Sequence, residues 1–106
     1  MQSKLFGMIS LSRKAGKLIG GFDQVKEAVY SGEAELVFYS SDLSERTKSS
    51  MDRVIEQQEG FPPGMTTRLT MYDYGAIYGK PTGVLALTDA GFASAVEKLI
   101  AAEAEI

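Results

Sequence analysis

Leu36-Val37-Phe38-Tyr39-Ser40-Ser41-Asp42 is the stretch on which the fold turns. Its first four residues form an unbroken apolar run of strand length. Without alternation, such a run suits a strand buried on both faces, as in a mainly parallel sheet. Asp42 follows, with Glu45 three residues on. This is the Asp form of a capping box and predicts a helix starting there. Met51, Val54 and Ile55 then fall on the inward stripe of that helix, with Arg46, Lys48, Asp52, Arg53 and Glu56 largely outward.

The same strand-then-helix pattern extends in both directions. Upstream, Leu5, Met8 and Ile9 have helical spacing, with Ser3 as N-cap, so a first helix is expected to about Ala15, stopped by Gly16. Lys17-Leu18-Ile19 reads as a short strand ending in Gly20-Gly21. Phe22, Val25 and Val29 mark a second helix, closed by Gly32. Downstream, Phe61-Pro62-Pro63-Gly64 reads as a loop and Thr66 to Leu69 as a weak strand. Thr70 caps a fourth helix to about Tyr78, and Gly79-Lys80-Pro81-Thr82-Gly83 is a second turn. Val84-Leu85-Ala86-Leu87 repeats the doubly buried strand. Asp89 caps a last helix carrying Phe92, Val96, Leu99 and Ile100, with a tail after Glu103 that is expected to fray. One helix followed by four strand–helix units predicts an α/β fold with helices on both faces of one small sheet.

Composition narrows the chemistry. The 106 residues fit one domain, 1–106, with 44% hydrophobic and 24% charged residues, which excludes a disordered or collagen-like chain. The chain has neither cysteine nor histidine. Disulfides, zinc fingers, iron–sulfur centres, Cys nucleophiles and imidazole mechanisms are therefore excluded. No stretch approaches the ~20 apolar residues of a spanning helix, and no signal-peptide pattern is present. No membrane partner is expected, and the protein reads as cytoplasmic.

The net charge is −3 and the pI about 4.9, a balance that by itself argues against nucleic acid. The distribution changes the picture. Lys4, Arg13, Lys14 and Lys17 give the first twenty residues a local +4 with no acid, whereas from Asp89 onward acids dominate. Local field governs binding more than the sum.

Candidate sites are few. Asp42 and Asp89 each follow a strand and read as helix caps before they read as catalytic acids. The serines at 40, 41 and 44 have no His partner. The Gly20-Gly21 turn either offers free N–H groups at a helix start to an anion or simply makes a tight turn. The Gly79–Gly83 turn lies after a helix and before a strand, the reverse of a P-loop. Tyr72, Tyr74 and Tyr78 either stack on bases or pack half-buried with the hydroxyl in water, the commoner arrangement. Arg13, Lys14, Lys17, Lys26 and Lys80 matter only if folding gathers them on one edge.

An ordered set of segments resembles a known family. These are Ser12-Arg13-Lys14-Ala15-Gly16-Lys17-Leu18-Ile19-Gly20-Gly21, the Phe22–Gly32 helix, the strand into Ser40-Ser41-Asp42, and Tyr74-Gly75-Ala76-Ile77-Tyr78-Gly79-Lys80 before Val84–Asp89. Together they resemble the kink-turn RNA-binding ribosomal-protein family, the L-seven-Ae/L-thirty-e group, and its small bacterial members most. The resemblance implies a three-layer α/β/α sandwich around a four-stranded mixed sheet. It also implies a non-catalytic RNA-binding protein that recognises a kink-turn in structured RNA, ribosomal RNA included. Independently of the resemblance, no cofactor or metal is expected, and a monomer is the default. The family reads guanine edges with a glycine turn and helix start, written roughly Gly-x-Asn-Glu-x-x-Lys. Its loop before the last strand packs against a splayed bulge nucleotide.

Carried over, Gly21 matches the glycine. Asp23 stands where Asn is expected, Gln24 where Glu is expected and Glu27 where Lys is expected, with Lys26 beside it. The implied RNA-binding set is Lys14, Lys17, Gly20, Gly21, Asp23, Gln24, Lys26, Glu27, Gly79 and Lys80. The alternative is a protein-interaction or regulatory module on the same fold, its RNA edge degenerate.

Overall fold

The computed structural model describes residues 3–104, the side chain of residue 104 excepted. The last two residues of the tail expected to fray lie outside the described residues. The elements run α1 (Lys4–Lys14), β1 (Leu18–Gly20), α2 (Phe22–Ser31), β2 (Leu36–Tyr39), α3 (Glu45–Gln57), β3 (Gly64–Thr66), α4 (Met71–Tyr78), β4 (Val84–Leu87) and α5 (Ala90–Ala104). The four strands form one sheet in the order β1-β4-β2-β3. Helices cover both faces, so the expected α/β/α sandwich around a mixed sheet is what the chain forms.

The two apolar runs occupy the two central strands, and every residue of both is buried. Their side chains alternate between two cores. Leu36, Phe38, Leu85 and Leu87 face one core with Leu5 and Ile9 of α1, Tyr74 of α4, and Val96 and Ile100 of α5. Val37, Tyr39, Val84 and Ala86 face the other with Val25 and Val29 of α2 and Met51, Val54 and Ile55 of α3. Burial on both faces produces the unbroken apolar pattern, but strand direction does not follow from it. Of the three pairings only β2 with β3 is parallel, while β4 runs antiparallel to both neighbours, so the sheet is not mainly parallel.

Two local expectations are corrected. The edge strand β3 starts at Gly64, two residues before the expected Thr66. Val37 N–H donates to Pro63 O at 3.0 Å, so pairing begins within the Pro-Pro-Gly segment. A proline tolerates that edge position because only its carbonyl is used. The strand ends at Thr66, short of the expected Leu69, although Thr67 N–H still donates to Tyr39 O at 2.9 Å; Thr67 Oγ1 lies 2.6 Å from the buried Tyr74 hydroxyl. Tyr74 also meets Phe38 edge-on, their ring centroids 5.9 Å apart.

The second correction concerns Asp42. It does not cap α3, whose N-cap is Ser44, with Ser44 Oγ accepting from Thr47 N–H at 3.2 Å. Asp42 reaches across the sheet end instead, where its Oδ1 accepts from Met71 N–H at 2.9 Å. Ser41 N–H donates to Leu69 O at 2.7 Å and aims this loop at the start of α4. There Thr70 and Asp73 complete a capping box, so α4 begins with most of its free donors satisfied. Expected capping by Asp89 is present: its Oδ2 accepts from Phe92 N–H at 2.9 Å.

The Met71 N–H, first among its influences, holds the Asp42 carboxyl below the usual carboxylate range. A lowered folded-state pKa stabilises above the unfolded value and is lost as pH falls through the folded value. Asp42→Ala is therefore expected to lower the melting temperature at neutral pH. The deficit should shrink as pH is lowered through the carboxylate range, read by thermal denaturation of both proteins across pH.

Candidate nucleic-acid interface

Antiparallel pairing of β1 with β4 puts the end of β1 beside the start of β4, Gly20 opposite Leu85. The Gly20-Gly21 turn therefore meets the Gly79–Gly83 turn at one edge of the sheet. Gly21 has φ 96° and ψ 142°, a conformation that side-chain-bearing residues rarely adopt. Its N–H points at β4 and is shared between Val84 O at 3.0 Å and Thr82 Oγ1 at 3.2 Å. The buried Thr82 hydroxyl also donates to Val84 O at 2.9 Å and accepts from Val84 N–H at 3.2 Å. One donor and two acceptors are all a hydroxyl has. Thr82 uses all three to join turns 61 residues apart.

Gly20 has a different task. It is buried, and a Cβ there would lie 2.8 Å from the Tyr78 ring and 2.9 Å from Leu85 Cδ2. The bare backbone lets the Tyr78 ring approach the turn this closely. Above that ring sits the Arg13 guanidinium, 5.1 Å from the centroid, and Arg13 Nε donates to Tyr78 O at 3.3 Å. Arg13 thus pins the last turn of α1 to the end of α4 while most of its donors stay exposed to solvent. Gly79 ends α4 within reach of the same guanidinium, whose Nη2 would be 3.9 Å from a Cβ there.

The start of α2 opens this edge to solvent. Its N-cap, Gly21, has no side chain, so no capping bond covers the first turn. The N–H groups of Phe22, Asp23 and Gln24 stand at the positive end of the helix. Buried Val25 anchors the turn to the core beneath. Asp23, Gln24 and Glu27 are exposed and together line an open depression of ≈410 Å³. Glu27 lies one turn after Asp23 on the same face. Lys26 is half-buried on the adjoining face, and Lys80 is exposed in the second turn.

Of the ten residues singled out in the sequence, Gly20, Gly21, Asp23, Gln24, Glu27, Gly79 and Lys80 lie on the two abutting turns and the helix start that follows the first. Lys26 borders them. Lys14 is the exposed last residue of α1, one place beyond Arg13. Lys17 is at the far end of β1, where its carbonyl accepts from Thr88 N–H at 3.0 Å. That is about 10 Å of strand away from Gly20 at ~3.3 Å per residue. Arg13, Tyr78 and Thr82 were not in the set and hold it together. Arg13 stood in the basic segment, but nothing local to it announces a partner 65 residues away. The three tyrosines separate completely: Tyr74 is core, Tyr78 is the cushion under Arg13, and Tyr72 is 85% exposed.

The architecture is an α/β/α sandwich presenting two abutting turns and an uncapped helix start along one edge. No family model matches the chain. RNA-binding protein YlxQ of Enterococcus faecium is 28% identical over 99 residues, covering 93% of this chain and 93% of that protein. Among solved structures, a protein of unknown function from Bacillus halodurans C is 27% identical with a TM-score of 0.83. That match covers 94% of this chain and 99% of the other. The Giardia lamblia 15.5kD RNA binding protein is similar in fold, with a TM-score of 0.70 at 15% identity, covering 100% of this chain and 93% of that one.

Thr82→Val keeps the shape and removes the hydroxyl, leaving Val84 N–H without that partner. A cost of about 1–3 kcal/mol in urea unfolding is expected for a buried donor left unpaired. Thr82→Ser, which retains the oxygen, is expected to cost less.

Proposed function

We propose that this protein is a non-catalytic member of the kink-turn RNA-binding ribosomal-protein family that recognises a kink-turn-like fold in structured RNA. The observation that carries the reading is the uncapped start of α2, held by Gly21 and Thr82 against the second turn, with Arg13 and Lys80 at its flanks. A helix start of this kind offers N–H donors and positive potential to a phosphate-rich groove. The similarity to a protein named as RNA-binding over nearly the full length of both chains supports the same reading.

The roles follow from the side chains. Gln24 both accepts and donates, and Asp23 accepts only, so Asp23 pairs with guanine N–H groups and Gln24 with either edge. Arg13, Lys14 and Lys80 supply phosphate contacts. Lys17, being up the strand, contacts backbone only if the RNA extends along β1. Glu27 opposes phosphate, and Lys26 beside it offsets part of that repulsion. The protein acts as a monomer in the cytoplasm, and ribosomal RNA is one candidate partner.

The direct test is titration with a kink-turn RNA beside a control whose sheared G·A pairs are replaced by Watson–Crick pairs, at moderate salt. Tight binding to the first and weak binding to the second is expected. Equal weak binding to both would contradict the reading and favour the protein-interaction module. On the same RNA, Glu27→Lys is expected to strengthen binding and steepen its salt dependence by about one phosphate contact. Gln24→Ala should weaken the kink-turn complex more than a plain duplex complex.

A further inference from the structure

The two edges of the sheet differ. β1 is covered, with Leu18 and Gly20 buried. β3 is open, with Gly64 and Thr66 exposed and Met65 half-buried. Register settles which backbone groups face outward. Val37 N–H donates to Pro63 O at 3.0 Å, and Thr67 N–H donates to Tyr39 O at 2.9 Å. Residues 63, 65 and 67 therefore turn their backbone groups toward β2, and by alternation Gly64 and Thr66 turn theirs to solvent. No other backbone group among the described residues pairs with the N–H or C=O of either one. An exposed edge is a template for another strand, and proteins commonly blunt it with charge or proline. Gly64-Met65-Thr66 carries neither. Phe61, just ahead of the strand, is 54% exposed, so the edge is flanked by apolar surface as well as unpaired.

The outward groups are self-complementary. Antiparallel pairing about a two-fold axis at Met65 sets Gly64 of one copy opposite Thr66 of another. These become the hydrogen-bonded pairs, with Met65 against Met65 as the close, non-bonded pair between them. Every outward N–H and C=O of the two residues gains a partner, and none is left over. Charge has the same symmetry. α3 lies along this edge in the direction opposite to β3. Lys48 Nζ is 5.6 Å from the ring of Tyr39, the register partner of Thr66, whereas Ile55 Cδ1 is 3.1 Å from where a Gly64 Cβ would be. Cations therefore stand at the Thr66 end, as Arg68 and the Asp52-bonded Lys48, and acids at the Gly64 end, as Glu56 and Glu59. Antiparallel pairing sets the cationic end of each copy against the acidic end of the other. Parallel pairing would set like against like.

We propose that β3 pairs with β3 of a second copy of this chain, joining the two four-stranded sheets into one across a two-fold axis. The proposal goes beyond the RNA-binding reading and does not rest on it. β3 is the edge opposite β1, so the edge that carries the two turns stays free in both copies and each chain still meets its RNA alone. The strand is short, so the pairing is weak and concentration-dependent, and the dilute chain is a monomer. A closed two-fold leaves no β3 edge over, and growth stops at the dimer.

The test is sedimentation equilibrium with amide exchange on the RNA-free protein, over a concentration series reaching about 1 mM. The mass is expected to rise from one chain toward two, while exchange of the Gly64 and Thr66 amides slows in proportion to the fraction paired. Thr66→Pro removes an outward N–H and leaves the bonds toward β2 in place. It is expected to keep the chain single, with its melting temperature as the control for folding. Arg68→Glu and Glu59→Lys each set like charges together across the axis, and each alone is expected to weaken pairing several-fold. Mixing the two variants is expected to restore it, which loss of structure in either could not do. A dimer whose Gly64 and Thr66 amides are unchanged overturns the proposal, as does a folded Thr66→Pro that still pairs. A chain that stays single across the whole series overturns it too, and leaves an extended segment of another protein as the occupant of this edge.

Discussion

The buried hydroxyl of Thr82 is the point on which the proposed binding edge depends. It accepts from Gly21 N–H, accepts from Val84 N–H and donates to Val84 O, and so has no capacity left. Through these bonds the turn after β1 and the turn before β4 become one rigid unit. The first turn brings no side chain to this joint, since Gly20 and Gly21 have none, so the Thr82 side chain of the second turn meets its backbone directly. The Tyr78 ring on Gly20 and Arg13 above the ring add a second clamp on the solvent side. The start of α2 is thereby fixed in direction with its N–H groups bare, the arrangement needed to meet an anion without reorganisation.

The sheet supplies the rest of the positioning. Because the two central strands are buried on both faces, their ends cannot shift without breaking two cores at once. At the same sheet end, Asp42 ties the loop after β2 to the start of α4. That helix is therefore anchored at its beginning by Asp42 and at its end by Arg13. The acidic balance of the chain reaches the binding edge as Asp23 and Glu27, while Arg13 and Lys80 stand at the turns as cations.

Much of this was legible in the residues. The runs Leu36–Tyr39 and Val84–Leu87, the caps Ser3, Thr70 and Asp89, and the stops at Gly16 and Gly32 are local signals, and each element fell where they put it. Beyond the bounds of β3, expected at Thr66–Leu69 and found at Gly64–Thr66, what failed was non-local. Strand direction is invisible in an apolar run, so periodicity missed the antiparallel pairings of β4, and the family resemblance implied a mixed sheet without saying which strands run antiparallel. Asp42 looked like the cap of the next helix because proximity in sequence was the only guide, and its true partner lies 29 residues on. The site divided in the same way. Gly20, Gly21, Gly79 and Lys80 were visible as turn residues, whereas Arg13, Tyr78 and Thr82 act across 61 to 65 residues and carry no motif. Composition gave no means of telling Tyr72 from Tyr74 and Tyr78, since burial alone separates them.

The central claim is that the two turns act as a single binding edge. Amide chemical shifts of the labelled protein, followed as kink-turn RNA is added, test it most directly. The account predicts that the amides of Phe22, Asp23 and Gln24 and those of Gly79, Lys80 and Thr82 shift together, along one saturation curve. Shifts confined to one turn, or centred on α3 and the β3 edge, would contradict it.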